Sequence, residues 1–189
     1  MSTILTTERL RLRPFSESDI DAAYVLWSDP KVVRYMRTEP MTRDQVTVHV
    51  QTLIATINAP ERRDFHFAIV HSGSNRLIGW CTLRVHDPEN READIGYAIC
   101  RGAWGNGYTT EAACALLAFG FGALNLHRIC ARCVPENLAS VRVIEKIGMV
   151  CEGHKRKHRW IKGAWWDSRD HAILDEEWEA LQTKDSAER

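Results

Sequence analysis

The stretch Asp94-Ile95-Gly96-Tyr97-Ala98-Ile99-Cys100, followed after Arg101-Gly102-Ala103 by Trp104-Gly105-Asn106-Gly107-Tyr108-Thr109-Thr110-Glu111-Ala112, decides how this chain is read. The first part is a β-prone run of strand length. The last part opens an alanine- and leucine-rich helix over about 109–122. Between them, glycines at 105 and 107 let backbone N–H groups turn into one concavity, and the helix N-terminus adds about half a positive charge. Such a turn suits a phosphate or pyrophosphate, and it also serves as a tight strand-to-helix connection without any ligand. Two common phosphate loops are excluded. No Gly-Lys-Ser/Thr follows, and Thr110 stands where the dinucleotide fingerprint needs its third glycine.

Working outward, residues 8–15 alternate as a strand with Leu10 and Leu12 inward. Ser16-Glu17-Ser18-Asp19 is helix-start chemistry, with Ile20, Ala23, Tyr24 and Trp27 at helical spacing before Asp29-Pro30. Thr42 predicts a cap for a helix over 43–58, with Val46, Val50, Leu53, Ile54 and Ile57 on its apolar stripe. Strands follow at 65–71, 77–85 and 93–100. After the glycine turn and its helix come a strand at 129–134, a helix from Pro135-Glu136-Asn137 to Lys146 stopped by Gly148, and an antiparallel pair at 149–160 and 165–174. A short helix over 175–181 closes the domain, placed at 1–181. Residues 182–189 lack an apolar stripe and read as a loose tail. The order predicts an α/β (α+β) domain with a mostly antiparallel sheet flanked by helices and one β-α-β unit.

Composition narrows the function. Of 189 residues, 44% are hydrophobic and 26% charged, which excludes wholesale disorder. No apolar run approaches the ~20 residues of a membrane span, and the N-terminus lacks the order of a secretory signal. Lys and Arg total 25, as do Asp and Glu, so neither membrane nor nucleic acid is an expected partner. Six cysteines, at 81, 100, 114, 130, 133 and 151, include one close pair, Cys130-Ala131-Arg132-Cys133. A strand there points the two thiols to opposite faces, and a lone pair falls short of the four ligands of structural zinc. The expectation is reduced thiols, no metal and a cytoplasmic protein.

Asn137 reads either as a helix N-cap or as a ligand contact, and Ser140 sits on the same first turn three residues on. Taken together with the glycine turn, these blocks resemble the GNAT superfamily of N-acetyltransferases, in its ribosomal-protein N-terminal acetyltransferase branch. Thr7-Glu8-Arg9-Leu10-Arg11-Leu12-Arg13-Pro14 is similar to that branch's opening strand. Asp94–Tyr97 with Trp104–Ala112 is similar to its acetyl-CoA motif. His127-Arg128 through Pro135–Ser140 to Lys146–Met149 is similar to its next motif, and Gly163–Asp167 to its closing hairpin. The resemblance covers about 7–174.

It implies a splayed sheet with acetyl-CoA in the opening between the strand ending near Cys100 and that near 129–134. The pantetheine arm then pairs with Ala98 and Ile99. The pyrophosphate takes amides from Gly105, Asn106, Gly107, Tyr108, Thr109 and Thr110, beside Trp104, and Asn137 contacts the cofactor arm. Trp104 and Thr109 depart from the superfamily's usual residues. Ile144 stands where many members carry a tyrosine acid, which leaves Ser140 as the candidate donor to the departing thiolate. Glu92 and Asp94 share one strand face, and their mutual repulsion would favour proton uptake from the amine. Asp94 is the first candidate base and Glu92 the second. His66 and His154 are weaker ones, and Glu111 complements the helix dipole. The run Lys155–Lys162 reads as a solvated arm or a contact for an acidic substrate or for CoA phosphates. Trp165 and Trp166 either wall the acceptor site or pack. The acceptor is a protein N-terminal amine or a small amine such as an antibiotic or polyamine, with a non-catalytic acyl-CoA or nucleic-acid-binding module as the rival. The protein is expected as a monomer or homodimer.

Overall fold

The computed structural model describes residues 3–59 and 62–187. In chain order the elements are β1 (Leu5–Thr6), β2 (Leu10–Arg13), α1 (Ile20–Trp27), α2 (Arg43–Ala55), β3 (Asp64–His71), β4 (Arg76–Asp87), β5 (Glu92–Ile99), α3 (Tyr108–Ala118), β6 (Arg128–Cys133), α4 (Leu138–Lys146), β7 (Val150–Ile161), β8 (Ala164–Leu174) and α5 (Asp175–Ala187). One eight-stranded sheet runs β1-β2-β3-β4-β5-β6-β8-β7. Every pair is antiparallel except β5 with β6, which the intervening α3 makes parallel.

That parallel pair is short. Glu92 faces Arg128, Ala93 faces Ile129, Asp94 faces Cys130, and the pairing stops there. Beyond it β5 stays on β4 as far as Ile99, and β6 stays on β8 as far as Cys133. The sheet therefore opens in a V, with the backbone edge of β5 from Ile95 onward facing the gap.

Period-two alternation sends side chains to two cores. Leu10, Leu12, Phe67, Ile69, Leu83 and Ile129 are fully buried on the face covered by α3 and α4. Ala68 and Val70 face the other way, beneath α1 and α2, where Ala23, Leu26, Trp27, Val46, Val50 and Leu53 close the second core. Thr42 caps α2 by accepting the Gln45 N–H while the Gln45 side chain returns to the Thr42 N–H. Gly148, at φ +83°, ends the segment after α4 in the left-handed conformation a helix stop requires.

Four expectations need correction. Tyr24 lies on the exposed side of α1, and Leu26 fills the core instead. The second helix ends at Ala55 and tightens into a 3₁₀ turn over 56–58, so Ile57 is only half-buried. The third helix is α-helical to Ala118 and then widens into a π turn over 119–123, where Gly120 and Gly122 are poor helix formers. The last helix continues past 181 to Ala187, so 182–187 extend it and 188–189 lie outside the described residues. Three acidic residues in its first turn and Lys184 in its last complement the dipole, and Trp178 anchors it by stacking on Phe121. No helix among the described residues is long and apolar enough to cross a membrane.

Candidate active site

A cavity of about 980 Å³ occupies the opening of the V. Its walls come from residues 95–99 of β5, the glycine turn, the start of α3, residues 131–133 of β6, the first turns of α4, and the connection between α1 and α2. A backbone edge, a helix N-terminus and a second strand thus converge on one space.

Gly105 and Gly107 both adopt left-handed conformations, at φ +78° and +77°. Gly107 is the residue before α3, so the helix starts with no side-chain cap and its first amides are open to an anion. Arg9 and Glu111 hold this turn. Glu111 accepts from the Thr7 hydroxyl at 2.5 Å, the Arg9 N–H at 2.8 Å and Arg9 Nε at 2.7 Å, while Arg9 Nη1 donates to the Asn106 carbonyl at 3.0 Å. Burial pushes the Glu111 carboxyl up, and these donors outweigh it to hold it below its ordinary value. Glu111 therefore does more than complement a dipole: it ties the N-terminal segment to the glycine turn.

Of the predicted cofactor contacts, Ala98, Ile99, Trp104, Gly105, Gly107, Tyr108, Thr109, Thr110 and Asn137 line the cavity. Asn106 does not. Its side chain folds back onto the carbonyls of Ala103 and Trp104. Trp104 donates its indole N–H to the Ile99 carbonyl at 2.8 Å, which fastens the turn to β5 and explains why a tryptophan is accommodated there. Asn137 is an N-cap: its Oδ1 accepts the Ser140 N–H at 3.3 Å.

Ser140 lines the cavity, and its hydroxyl lies 3.2 Å from the Tyr97 hydroxyl. The Tyr97 hydroxyl also reaches the Ser140 carbonyl at 3.3 Å. Burial pushes the Tyr97 phenol up to about 12, so it keeps its proton at neutral pH. Tyr97 was absent from the predicted set. The signal was available, since alternation along β5 puts it on the face opposite Asp94, toward α4. Ile144, where many superfamily members have a tyrosine, is 1% exposed in the apolar core.

Glu92 and Asp94 share a face as expected, but the cavity wall begins one residue later, at Ile95. They are not a bare like-charge pair. His86 sits between them, with Nε2 3.4 Å from Glu92 and Nδ1 3.3 Å from Asp94. Arg84 pairs with Asp94 at 3.0 Å, and Glu92 takes Arg128 at 3.5 Å and the Cys130 thiol at 3.0 Å. His66, Thr82 and Gly96 lie in one row across β3, β4 and β5. Burial pushes His66 down, and the Thr82 hydroxyl and Trp80 indole N–H are buried without a partner among the described residues. His154 is engaged by Asp167 at 2.7 Å on the β7–β8 hairpin, outside the cavity wall. Trp165 meets Trp160 edge-to-face, as Trp166 meets Tyr35, and neither indole lines the cavity. From the basic run, Arg159 does.

The sequence over residues 9–150 matches the family profile described as an acetyltransferase (GNAT) domain. The chain belongs to the GNAT acetyltransferase family. It is 35% identical over 176 residues to the uncharacterized N-acetyltransferase p20 of Bacillus licheniformis, covering 92% of this chain and 97% of that one. A crystal structure of a GNAT-family acetyltransferase from Bacillus anthracis superposes with a TM-score of 0.83 at 33% identity, covering 92% of this chain and 99% of that one. The spermidine N(1)-acetyltransferase of Vibrio cholerae is more distant, 26% identical over 166 residues, 88% of this chain and 93% of that one. This GNAT domain is an acetyl-CoA-dependent N-acetyltransferase, and acetyl-CoA is its co-substrate. The open edge of β5 and the uncapped start of α3 fit a ligand with an amide-bearing arm and a pyrophosphate.

Proposed function

We propose that the acceptor is the α-amine of a polypeptide N-terminus and that transfer occurs by direct attack. The observation that carries this is the charge of the cleft. Its wall holds seven basic side chains (Lys31, Arg34, Arg37, Arg132, Arg142, Lys146 and Arg159) and one acidic one, Glu136. A polyamine needs carboxylates to replace the water around its ammonium groups, and this wall repels it. A peptide N-terminus carries a single amine of pKa near ~8, which is neutral often enough to attack.

In this reading Ala98 and Ile99 pair with the pantetheine arm, and the amides of 105–110 hold the pyrophosphate beside Asn137. The amine nitrogen attacks the thioester carbon, the carbon–sulfur bond breaks, and the sulfur leaves as thiolate. Ser140, backed by Tyr97, donates to that sulfur. The proton shed by nitrogen passes through water to Asp94, with Glu92 as the second acceptor. Transition-state hydrogen bonds of this kind contribute about 3 kcal/mol each. Six free thiols fit a cytoplasmic location, and the domain is taken as 1–181.

The test is mass spectrometry of products after incubation with acetyl-CoA, an N-terminal peptide library and a small-amine panel. Acetylation at peptide α-amines is expected. Acetylation confined to spermidine or to other polyamines would refute the reading.

A further inference from the structure

The seven cavity cations do not lie on one side of the sheet. Arg142 and Lys146 belong to α4, which packs with α3 on the face where Tyr97 points. The others are on the opposite face. Along β6, Ala131 and Cys133 are buried toward the core shared with α3 and α4, so alternation turns Arg132 the other way. Arg37 comes from the connection between α1 and α2, and Arg159 comes from β7. This connection is docked across the cleft: Lys162 donates to the Val33 carbonyl at 2.7 Å, and the Tyr35 hydroxyl donates to the Glu136 carbonyl at 3.2 Å.

The side chains of Arg37 and Arg159 make no hydrogen bond or ion pair among the described residues, while Arg132 is paired with Asp170. The two carboxylates that act on Arg159 are already shared. Asp170 serves both Arg132 and Lys155, and Asp94 serves both Arg84 and His86. The Arg159 guanidinium is pushed below its ordinary value, by burial first and then by Arg132 and Arg37, with Asp170 and Asp94 opposing. Three guanidiniums lining one cleft, two of them without a side-chain partner among the described residues, form a site that an anion would complete.

We propose that Arg37, Arg132 and Arg159 form an acceptor subsite that recognises a carboxylate carried close to the reacting amine. This rests on the acetyltransferase reading above and deepens it by naming the substrate class. Arg142 and Lys146, on the other face, are left to the phosphates of CoA. Two sources offer such a carboxylate: a peptide N-terminus with acidic residues at its second or third position, and a free acidic amino acid.

The experiment compares kcat/KM for the peptide Ser-Asp-Asp-Glu, its neutral counterpart Ser-Asn-Asn-Gln, free glutamate and spermidine, with the full chain and saturating acetyl-CoA. The carboxylate of the acidic peptide gains a charge-assisted hydrogen bond that the neutral peptide lacks, so the acidic peptide should be preferred by at least about tenfold. Arg159→Gln should abolish most of that preference through KM, lowering the acidic peptide about tenfold more than the neutral one, and raised ionic strength should weaken the preference. Arg37→Gln should act in the same direction. Preference for glutamate over both peptides would uphold the carboxylate subsite and refute the polypeptide acceptor. Equal use of both peptides, or an Arg159→Gln loss shared equally between them, would overturn the subsite and leave the N-terminal acetyltransferase reading intact.

Discussion

The hydroxyls of Tyr97 and Ser140 lie 3.2 Å apart where β5 leaves β6, one from the strand and one from the first turn of α4. Both are in the cavity wall. The Asn137 cap fixes the Ser140 backbone, and burial keeps the phenol protonated, so a proton donor faces the space between strand and helix. With Ile144 unable to donate, the proposed donor is the pair of hydroxyls. Ser140→Ala is expected to lower the single-turnover rate by roughly ten- to a thousandfold with CoA affinity little changed. Tyr97→Phe should cost about tenfold, and the double variant should lose less than the product of the two, since each change removes the same contact. Rapid-quench kinetics of the four proteins decides it. A fully multiplicative double variant would show two independent hydroxyls.

The glycine turn makes a binding prediction. Gly107 has φ +77°, so any side chain there adds backbone strain, and an added Cβ lies 3.6 Å from Arg9 Nη2. Gly107→Asp adds a negative charge beside the open amides of α3 and should weaken CoA binding by well over tenfold, ~1.4 kcal/mol. Gly107→Ala carries the same strain without the charge and should stay within about threefold of the parent. Calorimetry on both folded variants separates charge from strain. Equal losses would mean that the phosphates bind elsewhere.

Glu111 offers a complementary test away from the cofactor. Its carboxylate gathers Thr7, the Arg9 backbone and the Arg9 side chain, and Arg9 in turn holds the Asn106 carbonyl. Glu111→Gln keeps the shape and loses the charge. It should raise the KM for acetyl-CoA about three- to tenfold and lower stability by ~1–2 kcal/mol, with little change in kcat. A kcat loss with unchanged KM would contradict a purely positioning role.

Most of the fold was legible because each element carried its own local signal. The alternation Leu10-Arg11-Leu12, the Thr42 cap and the Gly148 stop each rest on period or capping chemistry within a few residues. The same locality made Asn137 readable as a cap. The misses share a different cause. Tyr24 and Leu26 are both apolar enough for the core, and packing against α2 chose between them. The helix past 181 depends on tertiary anchors, Trp178 on Phe121 and Leu181 against the Gly148 turn. The role of His86, between Glu92 and Asp94, depends on contacts that no spacing encodes, whereas alternation along β5 already puts Tyr97 on the face toward α4.

The buried histidines give the stability a pH dependence. His66 and His49 both have pKa values pushed down, by burial first in each case, so the folded state binds fewer protons than the unfolded chain. With the folded value below the unfolded ~6.5, their penalty is absent above that pH and grows as pH falls below it. The fold should lose stability as pH falls below about 6.5. Urea unfolding of the parent at several pH values should show that slope, and His66→Gln should flatten it. An unchanged slope in His66→Gln would assign the effect to His49 or to His171, whose pKa is also lowered by burial.

The base is the hardest role to fix, because Asp94 stands just before the cavity wall and already serves two cations. Its Oδ1 is 3.0 Å from Arg84 and 3.3 Å from His86. Both contacts occupy the carboxylate oxygen that a water relay would reach. Arg159, in the cavity wall, lies within electrostatic reach of Asp94. General-base help is typically worth ~10²–10⁴-fold, and relay through one water falls at the lower end. Asp94→Asn should therefore cut kcat by at least about tenfold and flatten the acidic limb of the pH–rate profile. Glu92, held by His86, Arg128 and the Cys130 thiol, lies one full pleat further from the opening, and Glu92→Gln should do less. An α-amine of pKa near ~8 also loses its proton in bulk water, and then the acidic limb belongs to the substrate. Profiles measured with one fixed peptide separate the cases. A limb that survives in Asp94→Asn at reduced rate makes Asp94 an orienting group. A limb that moves only in Glu92→Gln shifts the role two residues upstream.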